Sequence, residues 1–273
     1  MTTVEAREPV AQQRLFGLPI SAVNYDQVID LVHQQLDDDA SGMLTIDATN
    51  TMGLAASRSN PRLTSAMTTY DHLLPDGRPL LWTMRWKETP LEDTVAGPHL
   101  VERLLSSLTR PVRIGLVGTY DEEYKRIEEE GRNRFPHARF VVHIDVTPGD
   151  ITPDTVREAT DRLRANGVQL VFVCLGVPRQ YYWTALAKEQ SDALVCISVG
   201  GAFSYLIGNS HVPHKIIQRA GLWWLHRLVR EPRRLLPRYL KYNSLFVWYL
   251  VRDSLKGGPI ANTEDRRQPA VYS

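Results

Sequence analysis

The chain has 273 residues, 43% of them hydrophobic and 23% charged, with a net charge of +1. That length can bury a full core and the composition is ordinary for a soluble protein, which excludes disordered, collagen-like and disulfide-stapled classes. The small total hides a split: between Pro213 and Lys256 ten basic side chains face only Glu231 and Asp253, a local +8 that leaves −7 elsewhere, so any basic partner surface belongs to the last fifth of the chain.

In chain order, residues 1–13 are polar with Pro9 and read as a disordered leader. They lack an apolar h-region, so no signal peptide is expected. Leu15 to Val23 reads as a strand or edge segment. Asn24 and Gln27 then form a capping-box pattern ahead of Val28, Ile29, Leu31, Val32 and Leu36 at helical spacing. The run Asp37-Asp38-Asp39 ends that helix. It satisfies the DxD pattern with which many sugar-nucleotide enzymes hold a divalent metal, but no strand leads into it, so it reads as a solvated loop and no metal site is assigned.

Met43 to Ala48 is a strand, and Thr49-Asn50 leads into a short helix with Met52, Leu54, Ala55 and Ala56. Asn60-Pro61 starts a second helix. His72-Leu73-Leu74 runs into Pro75-Asp76-Gly77, a turn signal in its own right, so spacing alone leaves Asp76 as either a turn residue or a chemical one. Helix resumes from Gly77. Val112 to Val117 is a buried strand ending at Gly118-Thr119-Tyr120, before an amphipathic helix carrying Tyr124, Ile127 and Phe135. A single glycine there is not the G-x-G-x-x-G fingerprint, which disfavours a nicotinamide enzyme; no cofactor is expected. Phe140 to Val146 is the next strand, and Thr152-Pro153 caps and opens another helix.

Two short apolar runs follow, Leu170 to Leu175 and Leu194 to Val199, each ending at glycine. Rich in β-branched residues and nearly without polar alternation, they read as parallel strands covered on both faces. Gly176-Val177-Pro178-Arg179-Gln180 follows the first and Gly200-Gly201-Ala202-Phe203 the second. Such loops at strand carboxyl ends feed helix N-termini and offer backbone N–H groups to an anion such as diphosphate. Cys174 and Cys196 fall inside these strands and read as buried small hydrophobes, as suits a reducing compartment. The alternation throughout predicts an α/β fold: a doubly wound, mostly parallel, Rossmann-like sheet.

The stretch from Pro213 differs in kind. Trp223, Trp224, Leu225 and Leu228 mix with arginines, Glu231-Pro232 breaks the helix, and Leu235, Leu236, Tyr239, Leu240, Tyr242, Phe246, Trp248 and Tyr249 follow. Basic and aromatic residues on amphipathic helices fit a membrane-interface element; a helical cap whose arginines face water is the alternative, and a nucleic-acid surface is weakly supported. No apolar run approaches the ~20 residues needed to span a bilayer. The expected organisation is a leader over 1–13, an α/β domain over 14–212, a basic aromatic helical appendage over 213–256 and a disordered tail over 257–273.

Four ordered stretches together resemble the WecG/TagA/CpsF glycosyltransferases, glycosyltransferase family 26, over nearly the whole chain. They are Asn50 through Asn60-Pro61; Leu74-Pro75-Asp76-Gly77; Gly176-x-Pro178-x-Gln180-x-x-Trp183; and Gly200-Gly201-Ala202-Phe203 continuing to Gln218-Arg219-x-Gly221-Leu222-x-Trp224-x-x-Arg227 and Glu231-Pro232-Arg233-Arg234. The resemblance implies an inverting, metal-independent enzyme that moves a hexosyl or N-acetylhexosaminyl group from a UDP-sugar to a polyprenyl-diphosphate-linked saccharide, peripheral on the cytoplasmic membrane face, in cell-surface polysaccharide synthesis. It implies Asp76 as general base and Asn50 near the donor or acceptor sugar. Gln180 would contact the nucleotide, with Gly176, Gly200 and Gly201 letting the backbone approach, while Arg227, Arg233 and Arg234 are candidates to neutralise diphosphate. A possible homo-oligomer is also implied.

The chain departs from the family pattern at four places. Ala48 stands where members usually carry Thr, with Thr49 or Thr45 as substitutes. His99 replaces the Asp of Ala-Gly-Ser-Asp, Tyr181 replaces the Glu after Gln, and Ser204 replaces the Asp after Ala-Phe. These changes put the sugar identity in doubt. They also raise the rival reading, a non-catalytic nucleotide-sugar or lipid-diphosphate binding subunit of a polysaccharide assembly complex.

Overall fold

The computed structural model describes residues 10–37, 42–89, 91–146, 149, 151–190, 195–214, 217 and 223–255. The first half of the chain folds as β1 (Gln12–Leu15), β2 (Leu18–Ser21), α1 (Tyr25–Asp37), β3 (Leu44–Thr49), α2 (Thr51–Ser57), α3 (Pro61–Thr68), β4 (His72–Pro75), α4 (Arg78–Trp86) and α5 (Gly97–Ser107). The second half follows with β5 (Val112–Val117), α6 (Asp121–Arg134), β6 (Ala138–Ile144), α7 (Pro153–Ala165), β7 (Leu170–Val173), α8 (Arg179–Gln190) and β8 (Val195–Ser198). A 3-10 turn over Gly200–Ala202 leads into α9 (Phe203–Leu206), and after a gap come α10 (Trp223–Arg230) and α11 (Pro232–Leu255).

The eight strands form one sheet in the order β1-β2-β4-β3-β8-β7-β5-β6, in which only the β1–β2 pair is antiparallel. The mostly parallel α/β sheet expected from the alternation is therefore present. The segment from Leu15 is not one strand. Phe16 and Gly17 take φ of 53° and 88° and reverse the chain, a turn that suits the twist of a two-residue hairpin.

Every residue of β7 and β8 is buried, as their apolar runs demand of central strands. On one face Ile46, Ile114, Leu170, Phe172 and Ile197 pack with α1, α5, α6 and α9. On the other, Val171, Val173 and Cys196 pack under α7 and α8, while Leu73 packs with α2, α3, α4 and Tyr181. Both cysteines are free thiols; Cys196 is buried and Cys174, just past β7, is half-buried. The capping box at Asn24 forms as expected, with Asn24 and Gln27 exchanging bonds of 2.9 Å. Asp37 pairs with Arg110 at 2.9 Å, and Asp38 and Asp39 lie outside the described residues.

The sheet's winding places the site. From β5 the chain runs outward to β6, whereas from β7 it runs the other way to β8, so the loops after these neighbouring strands part and leave a crevice at their carboxyl ends. The long helix α11 lies across α2, held by Arg58–Asp253 at 3.0 Å, by Thr51 Oγ1 donating to Asn243 Oδ1 at 2.9 Å, and by Phe16 meeting Phe246 and Tyr249 edge-on.

Candidate active site

A cleft of about 230 Å³ occupies this crevice, lined by Gly118, Thr119, Asp145, Arg179, Gly200 and Ser204 among others. Gly118 has φ of 88°, and a Cβ there would lie 2.4 Å from Leu175 Cδ2, so the loop after β5 can pass close to the one after β7 only as glycine. Within the cleft Arg179 donates to the Val146 carbonyl at 2.5 Å, while its Nε and the hydroxyl of Thr119 are buried without a protein partner. A buried unpaired donor or acceptor costs about 1–3 kcal/mol, so both groups call for a partner, water or a bound group, within the cleft. Neither residue was singled out from the sequence. A cation at the N-terminus of α8, facing a glycine turn, was the signal available for Arg179.

Beside the cleft, Gly176 and Gly200 take φ of 72° and 53°, and the position of a Cβ on Gly200 lies 3.8 Å from Gly176 Cα and 3.6 Å from Gln180 Oε1. Gly201 has open space in front of it. The structure thus gathers Gly176, Gln180 and Gly200 around one gap. Gln180 is 4% exposed and gives its Nε2 to Asp47 Oδ1 at 2.5 Å, while Oε1 is left without a protein partner.

Asp47 is a completely buried carboxylate in the middle of β3. Its Oδ2 accepts from the hydroxyls of Thr49 at 2.5 Å and Tyr181 at 2.8 Å. Burial pushes its pKa up to about 6, against the lowering effect of these three donors. Thr49, a predicted substrate contact, therefore spends its hydroxyl on Asp47 and is itself fully buried. A charged residue inside a buried strand was the visible anomaly that could have drawn attention to Asp47.

Asp76 follows the last residue of β4, its N–H donating to the Thr49 carbonyl at 2.8 Å, and Gly77 with φ of 93° turns the chain into α4. Part of the side chain is open to solvent, but protein surrounds it closely enough that burial drives its pKa up to about 7. The Arg227 guanidinium opposes that rise and Asp47 adds to it. Arg227 belongs to α10, so the C-terminal segment brings a positive charge within reach of this carboxylate. Asn50 sits one residue past β3 and caps α2: its Oδ1 accepts from the N–H groups of Met52 and Gly53, each at 3.1 Å. Arg233 is exposed on the first turn of α11; the side chain of Arg234 lies outside the described residues.

Three of the four departures have definite surroundings. His99 meets Trp223 edge-on at 5.2 Å, Tyr181 donates to Asp47, and Ser204 donates to Glu123 at 3.4 Å. Ala48 is half-buried, and a Cβ on Gly97 would lie 3.9 Å from its methyl group.

Compared with known proteins, residues 13–259 match the model of the glycosyl transferase WecG/TagA/CpsF family. Among curated relatives, the N-acetylglucosaminyldiphosphoundecaprenol N-acetyl-beta-D-mannosaminyltransferase of Bacillus spizizenii is 26% identical over 198 residues, which cover 72% of this chain and 75% of the relative.

Proposed function

The chain belongs to the WecG/TagA/CpsF family of glycosyltransferases, and from that premise we propose that it transfers a sugar from a UDP-sugar to a polyprenyl-diphosphate-linked saccharide, inverting the anomeric carbon without a metal ion. The observation that carries the reading is Asp76: a carboxylate with its pKa near neutrality, at the carboxyl end of β4 and under the charge of Arg227. A base of that strength is poised to take a proton at physiological pH.

In this reading the nucleotide diphosphate lies along the cleft, against Arg179, Thr119 and the turn at Gly200-Gly201, with the sugar directed toward Asn50 and Asp76. The acceptor hydroxyl attacks the anomeric carbon from the face opposite UDP and gives its proton to Asp76. The bond from that carbon to the diphosphate oxygen breaks, and UDP leaves with the electron pair. Guanidinium groups at Arg179 and Arg227, with Arg233 further along the same segment, meet the developing negative charge, the task a metal performs in other transferases.

The acceptor is a lipid, and α11 is built to meet one. Leu236, Leu240, Val247, Val251 and Leu255 are exposed along it, with Trp248 beside them and Arg233, Arg238, Lys241 and Arg252 interspersed. Among the described residues no helix is long and apolar enough to cross a membrane, so the reading is of a helix lying in the interface, on the inner membrane face, where basic residues attract anionic lipid. Changing Leu240, Val247 and Val251 together to serine is expected to cut sedimentation with anionic liposomes by at least about tenfold, since each aliphatic side chain is worth about 1.5–3 kcal/mol when fully buried. Undiminished sedimentation would remove α11 from the membrane.

The function itself is tested by UDP release from a panel of UDP-sugars in detergent with a polyprenyl-diphosphate-saccharide acceptor. The relative's name makes UDP-N-acetylmannosamine the first donor to try and an N-acetylglucosaminyl lipid the first acceptor. Acceptor-dependent release from one donor is expected. UDP binding with no release from any donor, on a panel that a control transferase turns over, would overturn the reading in favour of a binding subunit.

A further inference from the structure

The carboxylate in β3 touches none of the open parts of the site, yet it decides what the site presents. An ionised carboxylate only accepts hydrogen bonds, so the Gln180 amide has no choice of orientation: its NH₂ must face Asp47 Oδ1, and its carbonyl must face the other way. The alternative, carbonyl against carboxylate, would set two acceptors together. Oδ2 cannot relieve the constraint, since Thr49 and Tyr181 already donate to it. The carbonyl oxygen so turned away from Asp47 is buried and lacks a protein partner, and it lies 3.6 Å from where a Cβ on Gly200 would stand, a point 3.8 Å from Gly176 Cα.

We propose that Asp47 is a positioning residue that locks the Gln180 amide so that the site offers an acceptor, and only an acceptor, to a hydrogen-bond donor on the bound UDP-sugar. The inference rests on the reading of this gap as part of the donor site. The chemistry it selects is an O–H or N–H at that point of the donor; a group able only to accept is rejected there, because it would leave two buried acceptors facing each other.

The arrangement has an inverse that tests it. In Asp47→Asn the new amide oxygen is held by the two hydroxyl donors, so its NH₂ faces Gln180, which must rotate by half a turn and present NH₂ to the ligand. That replaces an acceptor by a donor and is expected to lower kcat/KM by about 10- to 100-fold. Gln180→Glu alone sets two carboxylates in contact and is expected to lose at least as much. Combining Asp47→Asn with Gln180→Glu reverses the internal bond, amide to carboxylate, and returns an acceptor to the gap. The double variant is expected to recover kcat/KM to within about threefold of the unaltered enzyme, a strongly non-additive cycle.

Thermal unfolding of all four proteins separates positioning from simple support. Recovery of stability in the double variant without recovery of transfer overturns the proposal, as does an Asp47→Asn protein with full kcat/KM. The side-chain amide of Gln180, assigned by its loss in Gln180→Glu, supplies a readout independent of catalysis. Its proton resonance is expected downfield in the unaltered protein and shifted in Asp47→Asn; an unmoved resonance overturns the lock. If the unaltered protein transfers from no donor, the functional reading fails, and the amide resonance still decides the orientation.

Discussion

Asp76→Asn is expected to lower acceptor-dependent transfer by about 10²- to 10⁴-fold, the contribution of a positioned general base, while making the protein more stable at neutral pH. The two effects share one cause. In the fold this carboxyl is raised from 3.8 to about 7, chiefly by burial, with Asp47 adding to the rise and Arg227 opposing it. Between those values the native state binds more protons than the unfolded chain, so the stability difference falls as pH rises from about 4 to about 7 and the loss is complete above that. An asparagine takes up no proton and escapes the loss. The full shift corresponds to about 4 kcal/mol at most, and the solvent reaching Asp76 reduces this to roughly 1–3 kcal/mol. Melting curves at pH 4 and pH 8 measure it: the variant's advantage should vanish at the lower pH and be full at the higher. In the active enzyme kcat/KM should climb through about pH 7 and then level, because the base must be ionised to work. A variant that keeps transfer undiminished would sink the assignment of Asp76 as the base.

The elements that sequence reading placed well are those whose signals are local. The runs through Val171 and Cys196 read as buried strands and are so, and Asn60-Pro61 and Thr152-Pro153 open helices where expected. Helix α5 is not among the elements read from the sequence. In the structure Pro98 sits in the first turn, where its missing N–H does no harm, and a side chain at Gly97 would lie 3.4 Å from the Val199 carbonyl.

The site was legible in proportion to how far its logic stays within one stretch of chain. Turn and resemblance together nominated Asp76, but its pKa is raised by the burial that the folded chain imposes, and the Arg227 charge that opposes the rise comes from α10, far along the sequence. Asp47 has one partner close by, Thr49, but its other two, Gln180 and Tyr181, are 133 and 134 residues away, so the sequence around it shows only part of what holds a carboxylate inside a buried strand. Thr49 shows the converse. It stands next to Asn50 in a recognisable motif, yet its hydroxyl turns inward to Asp47 and shapes the site from behind. Periodicity reports which face of a strand is covered; it does not report which polar groups meet there.

Arg227→Gln is the second large change, expected to cost about 10²- to 10³-fold in kcat at neutral pH, the usual loss when one preorganised donor to a developing negative charge is removed. Two consequences of the lost charge act together. The departing diphosphate loses a guanidinium, and Asp76 loses the positive neighbour that holds its pKa down, so less of the base is ionised at pH 7. The second part has its own signature: the rising limb of the pH profile moves to higher pH, and raising the pH recovers that share of the rate, while the share owed to the diphosphate is not recovered. Arg227→Lys keeps the charge but not the planar fork. It should hold the limb near its original position while remaining slow, which separates the two roles. The exposed position of Arg227 on α10 allows a plainer explanation, a lipid-facing charge. Under that explanation the glutamine variant would bind liposomes less well yet turn over at the normal rate, with an unmoved pH limb, on a short-chain acceptor in detergent. Such a result would detach α10 from the chemistry and leave Arg179 as the cation for the leaving group.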